Sequence, residues 1–372
     1  RPVVDEGWYD DFKKIFYDDE NYVYHSKKTG VVNFDELDEK SLVYFASIQD
    51  LRGSDLVGGK FTKNEEIFNQ NWDLLIVDEA HEGTQTALGD SVIKKLFGKN
   101  TKFLALSGTP FNIKDDFEDG VYTWDYIMEQ KSKYEWDEKY LGDSNPYSEL
   151  PELKIYTYDL GDLFKNKKFS ELEDKAFNFR EFFRVYTGES HISKKYKEDG
   201  IKIGDFVYKE EIMSFLNLLT KEHENSNYPY SNENYRNVFQ HTLWMLPGVK
   251  EAKALSKLLN EHPVFGSGAF RIINVAGDGD EEEKSEDALK KVKNAINNTK
   301  PGEYTITLSC GRLTTGVTVK EWTGVFMLAG SVSTSASSYL QTIFRVQSPY
   351  KVDGKIKDKA YVFDFAPDRT LK

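Results

Sequence analysis

The chain has 372 residues, too many for one ordinary core and suited to two domains of ordinary size. Apolar residues make up 39% and aromatics 14%, which excludes disorder over most of the length, and a formal net charge of −13 excludes a global basic field that draws in nucleic acid. A single cysteine, Cys310, excludes internal disulfides and a thiolate metal cluster and fits a reducing cytoplasm, and every apolar run falls short of the roughly 18 residues of a membrane helix.

The opening "RPVVDEGWYDDF" is no secretory signal and reads like the middle of a protein. "SLVYFASI" (41–48), "WDLLIV" (72–77) and "KFLALS" (102–107) are short apolar runs rich in strand formers. Each is followed by polar or Gly residues and then a helical stretch such as "DSVIKKLFG" (90–98). Strands alternating with helices predict a parallel sheet covered on both faces. From about 120 to 236 the texture changes, with many Tyr, Phe, Asp, Glu and Lys. There Ile212, Phe215, Leu216 and Leu219 fall on one helix face, best read as packing on its own domain. "ENSNYPYSNENY" (224–235) reads as an exposed loop. The alternation then returns with "HTLWMLP" (241–247), "FRIINVAG" (270–277), "EYTITLSC" (303–310), "TGVFMLAG" (323–330) and "KAYVFDFAP" (359–367). The predicted class is α/β with parallel sheets. Residues 1–150 form a first lobe, 151–236 a strand into the second lobe plus a helical insertion, and 237–372 the second lobe.

Ligands of an open parallel sheet sit beyond the carboxyl ends of its strands. "WDLLIVDEAHEG" (72–83) places Asp78 and Glu79 there, with His81 close behind. Hydrolysis of ATP needs magnesium on the β- and γ-phosphates and a positioned water. Asp78 suits the magnesium (Mg2+), Glu79 the water, and His81 the relay of the nucleotide's state to neighbouring segments. A given tetrapeptide arises by chance on the order of once in several hundred chains of this length, so the DEAH box alone is a hypothesis.

Four further segments support it. "LALSGTPFN" (104–112) resembles the third motif of helicases, with Ser107 and Thr109 coupling nucleotide to nucleic acid. "VYFASIQDLRG" (43–53) resembles a segment that offers Ser47 and Gln49 to a phosphate backbone. "TLSCGRLTTGVTVKEWTGVFML" (307–328) resembles motif V, in which Gly311 and Gly316 permit close backbone approach and Thr314, Thr315 and Thr318 bond phosphates. "SYLQTIFRVQSPY" (338–350) resembles motif VI, where Gln341 and Arg345 face the nucleotide. A fixed guanidinium is the natural partner of charge developing on a transferring phosphoryl group. Order and spacing over nearly the whole chain resemble a superfamily-two DEAD/DEAH-box helicase. Among these, the chain is most similar to the motor subunits of restriction-modification systems, the type III res-subunit group. The resemblance implies two RecA-like lobes, ATP with magnesium as cofactors, and duplex or single-stranded DNA as partner, together with restriction-modification subunits.

Two features depart from that pattern. The sequence contains no G-x-x-x-x-G-K-[ST] phosphate loop. Its nearest imitation, "SDLVGGKFT" (54–62), lies after the Ser47 segment, and its Gly58-Gly59 reads as a plain loop. The family's P-loop strand and helix precede a segment like "RPVV", so the expectation is a first lobe without them, the missing half removed or carried on another chain. In motif VI, Phe344 stands for the usual Gly and Ser348 for the last Arg, which leaves Arg345 as the clear phosphate-facing cation.

Weaker candidates have plainer readings. Asp143 with Glu152-Leu153-Lys154 imitates a nuclease metal site but sits where such motors enter the second lobe on a strand. "GDGDEEE" (277–283) reads as a solvated loop, and the six His residues make no ligand set. Beside the translocase stand two alternatives: a nucleic-acid-binding or scaffold module that has lost hydrolysis, and an RNA helicase, since backbone-contact motifs do not distinguish the two nucleic acids.

Overall fold

The computed structural model describes residues 2–30, 34, 37, 39–80, 87–109, 120–158, 160, 170–171, 176–188, 200–223, 228–277, 281–311, 313, 317–329 and 336–365. Contacts divide the chain into two compact units, Arg1–Thr123 and Trp124–Lys372. The second unit takes in the stretch 124–150, which the sequence reading groups with the first lobe.

The first unit opens with helix Pro2–Ile15, whose buried Asp5 accepts hydrogen bonds from the Tyr24 hydroxyl at 2.6 Å and the Ser26 hydroxyl at 2.8 Å. Burial, together with the bond to Asp5, pushes the Tyr24 hydroxyl far above its ordinary range. Those bonds hold the helix on strand β1 (Tyr22–Ser26), which runs parallel to β2 (Ser41–Phe45) with Tyr22 opposite Ser41. A second parallel pair joins β3 (Leu74–Val77) to β4 (Lys102–Ala105). Thr101 fixes where that pair starts: its hydroxyl donates to the Trp72 carbonyl at 2.6 Å and accepts from the Gly98 amide. Successive side chains alternate faces along a strand. Leu75 therefore turns toward a small core of Leu51, Val57, Ile67, Phe68, Val92 and Leu96. Leu74, Ile76 and Leu104 lie on the other face and are 50%, 41% and 44% exposed. The expectation of a sheet covered on both faces does not hold for these three side chains.

The second unit is built on one six-stranded sheet in the order β5-β14-β11-β8-β10-β9, parallel throughout. Its strands are β5 (Glu152–Thr157), β8 (His241–Met245), β9 (Phe270–Asn274), β10 (Tyr304–Ser309), β11 (Gly324–Met327) and β14 (Lys359–Asp364). Two-residue antiparallel pairs complete the strand count among the described residues: β6 (Ser170–Glu171) with β7 (Ala176–Phe177), and β12 (Lys351–Val352) with β13 (Lys355–Ile356). Helices Val249–Glu261 and Glu281–Asn297 connect β8 to β9 and β9 to β10, the crossovers a parallel sheet requires. Strands β10 and β11 are buried at every position, because neighbours flank them and helices cover them. The core is aromatic: Trp244 stacks on Phe326 at 4.7 Å between ring centres, and Phe326 lies 4.7 Å from Phe363.

Helix Lys209–Thr220 buries Ile212, Phe215, Leu216 and Leu219 completely in this core, the face its periodicity predicts. Residues 228–230 correct the exposed-loop reading. Tyr228 is buried, and Tyr230 is fully enclosed with its hydroxyl 2.8 Å from that of Thr242. Two tyrosines outweigh the polar residues around them, because each ring withdraws a large apolar area and the Tyr230 hydroxyl finds a partner in Thr242. Part of "GDGDEEE" likewise leaves the loop class, since its last three residues lie in helix Glu281–Asn297. No helix among the described residues is long and apolar enough to cross a membrane.

Candidate nucleotide and nucleic-acid site

Strand β3 ends at Val77 and its ladder with β4 continues one step further. The Leu106 amide donates to the Val77 carbonyl at 2.8 Å, and the Ala80 amide donates to the Leu106 carbonyl at 3.0 Å. Two residues, Asp78 and Glu79, are thereby looped out beyond the carboxyl end of the strand. The loop is tight enough to place Glu79 in the left-handed region at φ 49°, and its amide donates to the Asp78 carboxylate at 2.9 Å. Non-glycine residues rarely adopt that conformation, and where they do the surroundings hold them there. Asp78 is exposed, while Glu79 is half-buried with its Oε2 turned out of solvent.

The same two backbone bonds set Ser107 and Thr109 beside this turn. The Ser107 hydroxyl accepts from the Thr109 amide at 3.2 Å, and Thr109 is buried. The structure therefore brings together Asp78, Glu79, Ser107 and Thr109. His81 lies outside the described residues, as do Thr314, Thr315 and Gly316. Among the described residues no group of three or more His, Cys, Asp or Glu side chains can cage a metal ion. Oxygen-only donors around one exposed carboxylate fit magnesium, which keeps most of its waters and commonly takes one or two carboxylates.

Ser47 stands just past β2 and caps helix Ile48–Arg52 by accepting from the Asp50 amide at 3.1 Å. That cap uses an oxygen lone pair and leaves the hydroxyl hydrogen for an outside acceptor. Gln49 sits in the first turn of the same helix. Asp50 fixes this corner, taking the Lys27 and Lys63 ammonium groups at 2.8 Å each. Burial works against its charge, but the two lysines hold its carboxyl below the usual range.

The imitation phosphate loop at 54–62 is a built turn. Gly58 is left-handed at φ 89°. A Cβ on Gly59 would lie 2.3 Å from the Gly53 carbonyl, so only glycine fits. The Gly59 amide donates to Ser54, and the Lys60 and Phe61 amides both donate to Gly53. A phosphate cradle needs free backbone N–H groups, and these three are spent inside the turn.

In the second unit, motif VI is helix Ala336–Ile343 followed by a tight turn, Phe344–Val346. The Tyr339 hydroxyl donates to the fully buried Asp364 carboxylate at 3.0 Å, which fastens the helix to the end of β14. Gln341 is half-buried in its last turn. Arg345 is also half-buried; its Nε donates to the Gln341 carbonyl at 3.1 Å and its Nη1 to the Val317 carbonyl at 3.0 Å, so the guanidinium joins motif VI to motif V. Phe344, which departs from the usual motif VI pattern, has a local partner: its ring lies 6.3 Å from that of Tyr126, and Gln347, three residues on, donates to Glu129 at 2.8 Å. Both partners belong to helix Tyr126–Lys139, whose mixed polarity gives no hint of this role in the sequence. Asp364 was missed as well: "YVFDFAP" reads as one more buried strand, and a lone acid in an apolar run was the available signal. The nuclease imitation resolves as its plainer reading, since Glu152 and Lys154 pair with each other on β5.

Residues 1–112 match the family described as the res subunit of type III restriction enzymes. That match takes in less than a third of the chain, and over it the sequence is similar to that family. A curated Mycoplasma pneumoniae protein, named as the C-terminus of an inferred type II restriction enzyme and methyltransferase, is 28% identical to this chain over 433 residues. The alignment covers 100% of the chain and 57% of the relative. Among solved structures, a fragment of an inferred HsdR subunit of a type I restriction enzyme from Vibrio vulnificus superposes with a TM-score of 0.52 at 14% identity, covering 96% of this chain and 52% of that one. A DNA-bound type ISP restriction-modification enzyme gives a TM-score of 0.47 at 16% identity over 89% of this chain and 20% of that one, too distant to add to the fold assignment. The chain thus spans little more than half the length of these two relatives.

Proposed function

We propose that the chain is part of the motor of an ATP-dependent DNA translocase in a restriction-modification system. The supporting observation is the turn at the end of β3, where backbone bonds through Ala80 and Leu106 loop Asp78 and Glu79 out beside Ser107 and Thr109. In this reading Asp78 would be the carboxylate that holds magnesium, whose chemistry would be to neutralise charge on the phosphates. Glu79 accepts a hydrogen bond from the attacking water and takes on its proton as the water oxygen bonds to the γ-phosphorus and the bond from that phosphorus to the bridging oxygen breaks, ADP leaving with the oxygen. Arg345 meets the charge on the transferring group, and Gln341 lies one turn before it. Ser107 and Thr109 convey the state of the turn to the strand behind. Ser47 and Gln49, with Thr314 and Thr315, hold the phosphate backbone of the nucleic acid. DNA is favoured over RNA because the relatives are named as restriction enzymes, and the chain's acidity requires that the contact be local.

A second reading, a binding or scaffold module without hydrolysis, is favoured for this chain alone by the missing phosphate-loop sequence and the spent amides at 59–61. One experiment tests both. In a full-length parent, Glu79→Gln is expected to leave ATP affinity nearly unchanged and to lower turnover at least about a hundredfold, within the range of general-base catalysis. The 372-residue chain by itself is expected to show no DNA-stimulated hydrolysis. Equal loss of binding and turnover in the variant assigns Glu79 a structural part only, and vigorous hydrolysis by the chain alone removes the second reading.

A further inference from the structure

Past motif VI the chain reverses through "KVDGKIK" (351–357). Asp353 and Gly354 both take positive φ, 49° and 79°, which suits an Asp-Gly hairpin turn between β12 and β13. The hairpin closes with the Lys357 amide on the Tyr350 carbonyl at 2.8 Å. That closure sets Lys357 at the base of the hairpin. Its ammonium donates to three backbone carbonyls: Lys320 at 2.7 Å, Val346 at 3.0 Å and Trp322 at 3.1 Å. Two of these belong to the end of motif V and one to the motif VI turn. The Trp322 and Val346 side chains flanking this point are fully buried. Burial pushes the Lys357 ammonium down to about 8, with Glu321 pulling the other way, so near neutral pH it stays charged and supplies three hydrogens to three acceptors.

Arg345 makes the parallel link a few residues away, from the same turn to the Val317 carbonyl. Residues 317–322 and 344–346 are therefore fastened by two cations acting on main-chain oxygens. Bonds from a charged donor are the stronger kind, and removal of the donor takes that bond from each carbonyl, of which those of Trp322 and Val346 are part-buried. We propose that Lys357 is the positioning residue for Arg345, pinning the motif VI turn to motif V so that the guanidinium is held in one place. Its consequence for turnover rests on the role given to Arg345 above.

The test compares Lys357→Met, which keeps chain length without donors, with Lys357→Arg, which keeps charge and donors. Amide hydrogen exchange reads the two sides of the pin at Trp322, bonded to Val319, and Gln347, bonded to Phe344. Lys357→Met is expected to speed exchange at both by about tenfold or more while β8 amides stay protected, and Lys357→Arg to recover most of the protection. Unchanged exchange overturns the proposal, as does an equal rise in β8, which marks a general stabiliser. In a full-length parent, Lys357→Met and Arg345→Ala are each expected to lower kcat with KM for ATP unchanged. The double variant is expected to be no slower than Arg345→Ala alone, since one residue acts through the other. Additive losses overturn the proposal. If Arg345→Ala leaves turnover intact while the exchange results hold, the role of Arg345 in hydrolysis fails and the pin stands.

Discussion

Strands β3 and β11 are both four residues long, apolar and parallel to their neighbours, yet they live in different surroundings. Among the described residues Leu74-Leu75-Ile76-Val77 pairs with β4 alone, and Leu74 and Ile76 are 50% and 41% exposed. Gly324-Val325-Phe326-Met327 lies between β14 and β8 and is buried at every position. By composition β3 is the more hydrophobic of the two. Burial is thus set by how many strands and helices surround a run, which the run itself does not encode. The contrast also follows chemistry, since the more exposed strand is the one that ends in Asp78 and Glu79.

The contrast predicts different sensitivities, to be read by urea unfolding with hydrogen exchange followed separately on peptides of each unit. Phe326→Ala removes a ring stacked on Trp244 and is expected to cost the second unit about 3–5 kcal/mol. A cost below about 1 kcal/mol would show that its core repacks and would erase the contrast. The second effect concerns pH. Burial lowers His241, at the start of β8 and 2.9 Å from the Thr305 hydroxyl, to about 4 against an ordinary 6.5. Between those values the unfolded chain binds the extra proton, so stability falls as pH falls through that window. At pH 5 the loss relative to pH 7 is expected to be about 2 kcal/mol for the second unit. His241→Gln should flatten that part of the profile, and an unchanged acid limb would mean that other groups set it. The smallest effect is at Ile76→Thr, which keeps a strand former on an exposed position and is expected to shift the first unit by no more than about 0.5 kcal/mol. A loss several times larger would show that this face is covered in solution.

Much of the fold was legible because its strands are short apolar runs bounded by Gly or polar residues. "HTLWMLP", "FRIINVAG", "EYTITLSC" and "KAYVFDFAP" each contain the strand observed. β1 was not read, since "YVYHS" alternates too little and is held by Asp5 from outside the strand. Strand order was beyond reach as well. β5 and β14, neighbours in the sheet, lie about two hundred residues apart, and no local pattern encodes their pairing. Of the candidate site, the places of Asp78, Glu79 and Ser107 beyond the ends of β3 and β4 were readable from strand context. Lys357 was not, because a lysine after an Asp-Gly turn looks like any solvated turn residue, and its three acceptors are carbonyls whose positions depend on the finished fold.

The left-handed backbone at Glu79 sets two kinds of selection against each other. Holding a non-glycine residue there costs on the order of 1 kcal/mol. A library screened only for heat resistance should therefore enrich Glu79→Gly, and Glu79→Asn after it, because both relax the turn without disturbing the ladder through Ala80 and Leu106. A library screened for nucleotide turnover should reject both. Divergence between the two screens at this one position would measure how much stability the first unit gives up to keep a carboxylate at the end of β3.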